Sequence, residues 1–354
     1  MLAFLHRLKT TITLVLSSLF NILSSLRVYP QALHFLCVLC VLALQDAFNL
    51  NIEAYYLMEN LYLPRINQVI DYVSTHLCDD LSLENLATIA HFSPFHFHRI
   101  FKNTTGETLN QFVNRMRIER AMDLLRTDKT LRIIDAALAC GYESAEGFSR
   151  AFKKRYGFPP HQWQRYQPIE ERKIGQAGEL FPTYTVDELC EMQDEFTVQV
   201  FDLAEQRLAY IRVLDSYNDW EAIVAAHDNL LDWYHAQTAL PDEMKLYGMS
   251  QDDPDVTPKA LCRFDWCLAI PDDWTLPEHI SERRFPACTV VAIHVDGDLY
   301  AEDRALQYLW RYWLPCSHYQ PDNLPSMEIY RQFPMDIGWE TFDICCAVPV
   351  NRFC

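Results

Sequence analysis

Two copies of one helix-turn-helix pattern lie between Ser82 and Tyr156, and they constrain the fold of this chain more than any other feature. The first copy reads SLENLATIAHFSPFHFHRIFKNTTG. Leu83, Leu86, Ala87 and Ala90 follow the i, i+3, i+4, i+7 spacing of a short amphipathic helix, and Ser82 is placed to cap it. His91 and Phe92 make the turn, and Ser93-Pro94 opens the next helix with an N-cap and a proline at the first position. At about 100° per residue, Phe97, Ile100 and Phe101 fall on the core side of that helix. Phe95, His98, Arg99 and Lys102 fall on the opposite side, free to enter a groove.

The second copy, LRIIDAALACGYESAEGFSRAFKKRYG, repeats the logic. Ile133, Ala136, Ala137 and Cys140 form the stripe, Gly141 sits in the turn and Ser144 caps the next helix. There Phe148 and Phe152 face inward, while Glu146, Gly147, Arg150, Lys153 and Lys154 face outward. A major groove admits one helix, and arginine addresses guanine O6 and N7 in a bidentate way, so Arg99 and Arg150 are the leading base readers. Glu146 is acidic on the groove side; it accepts from a cytosine amine, or its lobe reads little and clamps phosphate. A connecting helix from Glu107 to Arg126 would span about 30 Å. That is near the roughly 34–36 Å of one DNA turn, which lets one monomer address two successive major grooves of duplex DNA.

From about Leu61 to Tyr166 the chain resembles the AraC/XylS family of bacterial transcription regulators. The match rests on SLENLA, SPFHFHRIFK, GETLNQFVNRMRIERAMDLL, IIDAALACGYES and FSRAFKKRYGFPPHQW. The resemblance implies two all-α helix-turn-helix lobes on one connecting helix, and RNA polymerase as a partner.

The net charge of −18 seems wrong for a DNA reader until it is divided. Residues 59–173 carry 16 Lys and Arg against 14 Asp and Glu, whereas residues 174–354 carry 11 against 32. The acid therefore belongs to a separate domain, which phosphate repels and which should hang away from DNA. Hydrophobic residues are 50% of the chain and charged ones 22%, a composition that folds. Twelve cysteines follow no disulfide or metal spacing, and Cys37-x-x-Cys40 has no second pair; free thiols in a reducing cytoplasm are the reading, with no metal or cofactor.

Residues 1–57 form an apolar extension. Thr10 to Leu26 and Val28 to Gln45 lack any Asp, Glu, Lys or Arg. Three readings compete: a membrane hairpin or anchor, a signal sequence, or an upstream start with translation from Met58, which is favoured and would leave no stable membrane contact. The double reader then occupies 58–167 and a polar linker 168–195.

Beyond the linker the period changes. FTVQVF and RLAYIRV read as strands, DWEAIVAAHDNLLDWYHA as a helix, and KLYGMS and LCRFDWCLAI as two more strands. HISERRF, CTVVAIHVDG, AEDRALQYLWRYWL, MEIYRQF and FDICCAVPV then repeat that order. The chain is thus multidomain: the tandem helix-turn-helix unit is followed, at 196–350, by an α+β domain in which ββαββ occurs twice about a pseudo-twofold axis. Seven of the eight tryptophans lie in this half. On the strand of SMEIYRQF, Glu328 and Tyr330 face the side where a pocket should lie, and Trp266, Trp310 and Trp313 are candidate walls. A carboxylate among aromatic rings suits an amphipathic organic cation.

This half resembles the GyrI-like small-molecule-binding domain through YGMSQDDPDVTP, LCRFDWCLAIP, LPSMEIYRQFP and WETFDICCAVPV, with Glu328 on that family's central pocket acid. The resemblance implies a domain that binds lipophilic, often cationic or antibiotic-like effectors. Two alternatives stay open: hydrolysis of a reactive antibiotic, with a pocket carboxylate as general base, and an acidic module that grips a basic protein. No Ser-His-Asp or Cys-His spacing is readable, so no catalytic residue is assigned, and His294 reads as a strand residue.

Overall fold

In the computed structural model, residues 62–128, 130–162, 184–254 and 256–352 are described; the readings placed on residues 1–57 lie outside them. Helix α1 (62–75) leads into α2 (Leu83–Ile89), α3 (Pro94–Thr105), α4 (Leu109–Thr127), α5 (Ile133–Ala139) and α6 (Ala145–Tyr156). Two of the three caps foreseen form: Ser82 Oγ accepts from the amide of Asn85 and Ser144 Oγ from that of Gly147, whereas Ser93 stands at the N-cap before Pro94 without a side-chain cap hydrogen bond. Between α2 and α3 the backbone turns at His91 with φ 54°; between α5 and α6 it turns at Gly141 with φ 82°. A β-carbon on Gly141 would lie 2.2 Å from the carbonyl oxygen of Leu77, so glycine is needed there for space as well as for φ.

Helix α4 joins the lobes. Thr108 and Gln111 close a capping box at its start, and its 19 residues span about 28 Å. Its first half packs Leu109, Phe112 and Val113 into the core of α1–α3, and its second half packs Ile118, Met122 and Leu125 against α5 and α6.

The end of the proposed linker is not linker. Thr185 and Glu188 form a capping box on α7 (Val186–Glu191), whose Leu189 is fully buried in the sheet domain. Strands β1 (Val198–Leu203) and β2 (Gln206–Leu214) lead to α8 (Trp220–His235), then β3 (Leu246–Ser250) and β4 (Arg263–Ala269). Strands β5 (Ser281–Phe285) and β6 (Cys288–Gly297) lead to α9 (Leu299–Tyr308), which continues through one π turn, Leu309–Trp313, to Cys316. A short β7 (Tyr319–Pro321), β8 (Ser326–Tyr330), α10 (Pro334–Ile337) and β9 (Phe342–Arg352) follow.

One antiparallel sheet holds all nine strands in the order β1-β6-β9-β8-β3-β4-β2-β5, with β7 added on β9. Exchanging β1, β2, β3 and β4 for β5, β6, β8 and β9 reverses this order onto itself. The duplication is therefore real, each half lends its first strand to the other, and the axis passes between β3 and β8. At that axis Gly248 stands opposite Glu328, and two residues along Ser250 stands opposite Ser326. One sheet face, with Ala209, Trp266, Val291 and Ile344, is buried under α8 and α9; the other carries Tyr210, Met249 and Met327.

Residues Leu61–Cys354 form one compact unit. The acidic domain is seated on α1 and α4 of the helical domain. Arg212 pairs with Asp265 and with Asp71 of α1, each at 2.7 Å, and Tyr210 donates to Asp71 at 2.7 Å. Arg115 of α4 reaches Asp252 at 2.8 Å. Matched, buried ion pairs thus join the two domains.

Candidate nucleic-acid interface and ligand cleft

On α3, Phe97, Ile100 and Phe101 are buried, which leaves Phe95, His98, Arg99 and Lys102 outward. Phe95 is 83% exposed, a large apolar ring left on the surface. On α6, burial of Phe148 and Phe152 leaves Glu146, Arg150, Lys153 and Lys154 exposed. Gly147 is only partly exposed, and its amide is taken by the Ser144 cap. The structure thus places all nine candidates on the two second helices.

The candidate ligand site lies at the pseudo-twofold axis of the sheet. Tyr330 donates its hydroxyl to Glu328 Oε2 at 2.6 Å, and the Glu328 carboxyl is hydrogen-bonded to that of Glu302 on α9. A β-carbon on Gly248 would lie 2.5 Å from Glu328 Oε2 and 2.5 Å from Phe264 Cζ, so the glycine opens the space that the acid fills. Trp266 packs on Tyr330 at 5.3 Å between centroids and on Phe264 at 5.2 Å. Trp339 and His227 extend the aromatic wall beyond it, 6.0 and 5.0 Å from the Trp266 ring.

Burial raises the Glu302 carboxyl well above the usual carboxylate range, and the neighbouring Glu328 charge adds to the effect. Burial raises Glu328 too, against the hydrogen bonds from Tyr330 and Glu302 that favour its charged form. Burial thus acts on both carboxyls in the same direction, most strongly on Glu302. Among the described residues, no arginine or lysine acts on either acid. That separates them from the other buried acids of this domain: Asp252 has Arg115 and Arg263, and Asp265 has Arg212 and Arg283.

Of the five ligand candidates, the structure brings Glu328, Tyr330 and Trp266 together. Trp266 is a core residue, 1% exposed, with its indole nitrogen donating to Ile223 O. Trp313 instead stacks on Tyr319 at 5.9 Å. Trp310 lines a cavity of about 250 Å³ between α4, α9 and the turns after β3 and β7. Glu302, Gly248 and Phe264 escaped the sequence reading. A glycine inside a strand was the available signal for Gly248; nothing local marked Glu302. His294 Nε2 lies 2.8 Å from the accepting Oδ1 of Asp343 on β9, a strand-surface pair.

Between the domains Asp252 is clamped. Arg263 reaches both its oxygens at 2.7 Å and Arg115 reaches one at 2.8 Å. Burial would raise this carboxyl, but Arg263 and Arg115 outweigh it and hold it at about 2. Around the cavity the balance is opposite: burial lifts Glu119 to about 7 and Asp123 to about 6 on α4, and Asp303 to about 6 on α9.

The fold joins a tandem helix-turn-helix module to a duplicated antiparallel α+β module. Family comparison agrees: residues 86–166 match the helix-turn-helix domain family and residues 196–348 the GyrI-like small molecule binding domain family. The chain carries an AraC-type helix-turn-helix domain followed by a GyrI-like domain. It is 37% identical over 106 residues to an uncharacterized HTH-type transcriptional regulator, YbfP, of Bacillus subtilis (strain 168), a match covering 30% of this chain and 35% of YbfP. It is 33% identical over 111 residues to the bifunctional transcriptional activator/DNA repair enzyme AdaA of the same strain, covering 31% of this chain and 52% of AdaA. The chain thus spans between a third and about half of these curated relatives. Among solved structures, the C-terminal domain of EcmrR is similar over 45% of this chain and 99% of its own, with 16% identity and a TM-score of 0.37.

Proposed function

We propose that this protein is a transcription regulator that reads DNA with α3 and α6 and answers to a hydrophobic organic cation bound at Glu328. The observation that carries the ligand half is the Glu302–Glu328 pair: two partly buried carboxyls, walled by Phe264, Trp266 and Tyr330, on which no arginine or lysine acts among the described residues. A cation offers the missing charge, and the rings offer it π faces. On the DNA side, Arg99 and Arg150 address bases, Phe95 supplies an apolar contact for a thymine methyl, and Lys102, Lys153 and Lys154 hold phosphate. Regulation would pass to RNA polymerase from the DNA-bound chain.

The test is quenching of tryptophan fluorescence in the full chain by tetraphenylphosphonium and by neutral triphenylmethane. Saturable binding of the cation alone is expected, weakened about tenfold, or about 1.4 kcal/mol, by Glu328→Gln. Gly248→Ala should weaken it as well, because the new methyl displaces the carboxyl without removing it. Binding that ignores both substitutions would overturn the acid pair as the ligand site. Two carboxyls in contact, both raised by burial, are also equipped for acid–base chemistry, which keeps hydrolysis as a second reading. Recovery of the bound compound intact after prolonged incubation would remove it.

A further inference from the structure

The acid pair and the lining of the interdomain cavity share one strand face and one helix. On β8, Glu328 and Ser326 point to the same face two residues apart, and on β3 their partners Gly248 and Ser250 do likewise. Ser250 and Ser326 line the cavity. One step of two residues along a strand is about 6.6 Å. On α9, Glu302 meets Glu328, and Leu306, one turn further on, lines the cavity with Trp310. That step is about 6 Å on the same helix face. Strand face and helix therefore lead from the acid pair in one direction, and the far end is closed by Met116, Glu119 and Asp123 of α4.

Resting on the reading of Glu328 as a cation site, we propose that the cavity is the second half of one elongated ligand site. Its occupant is an amphipathic cation whose charged head sits on Glu302 and Glu328 and whose apolar tail runs over Ser326 and Leu306 to end against α4. The tail then touches the helix that spaces the two DNA-reading lobes. This meets the requirement that a ligand bias two states only through contacts that differ between them. A compact cation fills the acid end and leaves α4 untouched; a long one bridges the domains.

The test titrates the full chain with ethyl-, hexyl- and decyltrimethylammonium below their aggregation concentrations. Decyl is expected to bind at least tenfold tighter than ethyl. Ser326→Phe, which narrows the passage, should remove most of that gain of decyl over ethyl. Because a larger side chain on that strand face can disturb folding, a decyl probe with a diazirine at the tail end supplies a second measurement. Label recovered on residues 116–126 supports the proposal; label confined to the exposed rim around Trp220 and Trp339 overturns it. Equal affinities of the three cations, each weakened by Glu328→Gln, would overturn the proposal and leave the cation site standing. Failure of all three to bind would overturn both.

Discussion

Arg115 and Asp252 are 137 residues apart in sequence and meet at 2.8 Å, the arginine on the connecting helix of the DNA reader and the aspartate in the sheet domain. The Arg115 side chain is 2% exposed and that of Asp252 fully buried. Arg115 also holds Glu107 at 2.8 Å and Glu119 at 3.3 Å, so the contact ends a buried chain of charges along α4. The two domains are thus joined by buried ionic contacts as well as by the polypeptide.

Removing one member of a buried set of charges leaves the others without compensation. Asp252→Ala is expected to destabilise the full chain by about 3–5 kcal/mol, because Arg115 and Arg263 lose their shared partner. Urea unfolding measures it. A loss below about 1 kcal/mol would mean that water reaches the site and the pairs are surface-like.

The acids around the cavity make stability fall as pH rises. Burial lifts Glu119 from 4.5 to about 7, and Asp123 and Asp303 from 3.8 to about 6. In that window the folded chain binds protons that the unfolded chain has released, so the fold is favoured at the acid end and loses this advantage toward pH 7. Asp252, held at about 2, titrates below the window and does not offset it. Unfolding free energies at pH 5 and pH 8 should differ in that direction, and Glu119→Gln should shrink the difference. An unchanged difference in the variant would assign the slope elsewhere.

Two glycines with similar φ should respond differently to alanine. Gly141 (φ +82°) would place its β-carbon 2.2 Å from Leu77 O, whereas Gly157 (φ +83°) has open space. Gly157→Ala is expected to cost about 1–2 kcal/mol, the left-handed backbone alone. Gly141→Ala adds a clash against backbone and should cost clearly more. Thermal unfolding of both variants checks the ranking, and equal losses would refute it.

On DNA, arginine and lysine substitutions should separate by kind. With a binding site obtained by selection from random duplexes, Arg99→Ala should cost about 1–3 kcal/mol and relax preference at one position. Lys154→Ala should weaken all sequences alike and lower the slope of log affinity against log salt by about 1. Fluorescence anisotropy across a salt series distinguishes them. If Arg99→Ala acted like the lysine variant, Arg99 would be a phosphate contact.

Much of this protein is local and therefore legible in the chain alone. Helix caps at Ser82 and Ser144, the apolar stripes behind them and the outward faces of α3 and α6 depend on neighbours three or four residues away, and periodicity reports those directly. The repeated order of strands and helices in the acidic half is legible for the same reason, as is the alternation that sets Glu328 beside Tyr330. The tertiary structure alone decided which strands pair, that each half exchanges its first strand, and that Trp313 stacks away from the acid while Trp310 joins a different cavity. It also brought Glu302 to Glu328 and set Asp252 between Arg115 and Arg263. These depend on contacts between residues far apart in sequence, for which spacing carries no signal. Charge totals are silent for the same reason, because a net of −18 cannot show that particular carboxylates meet particular arginines out of water.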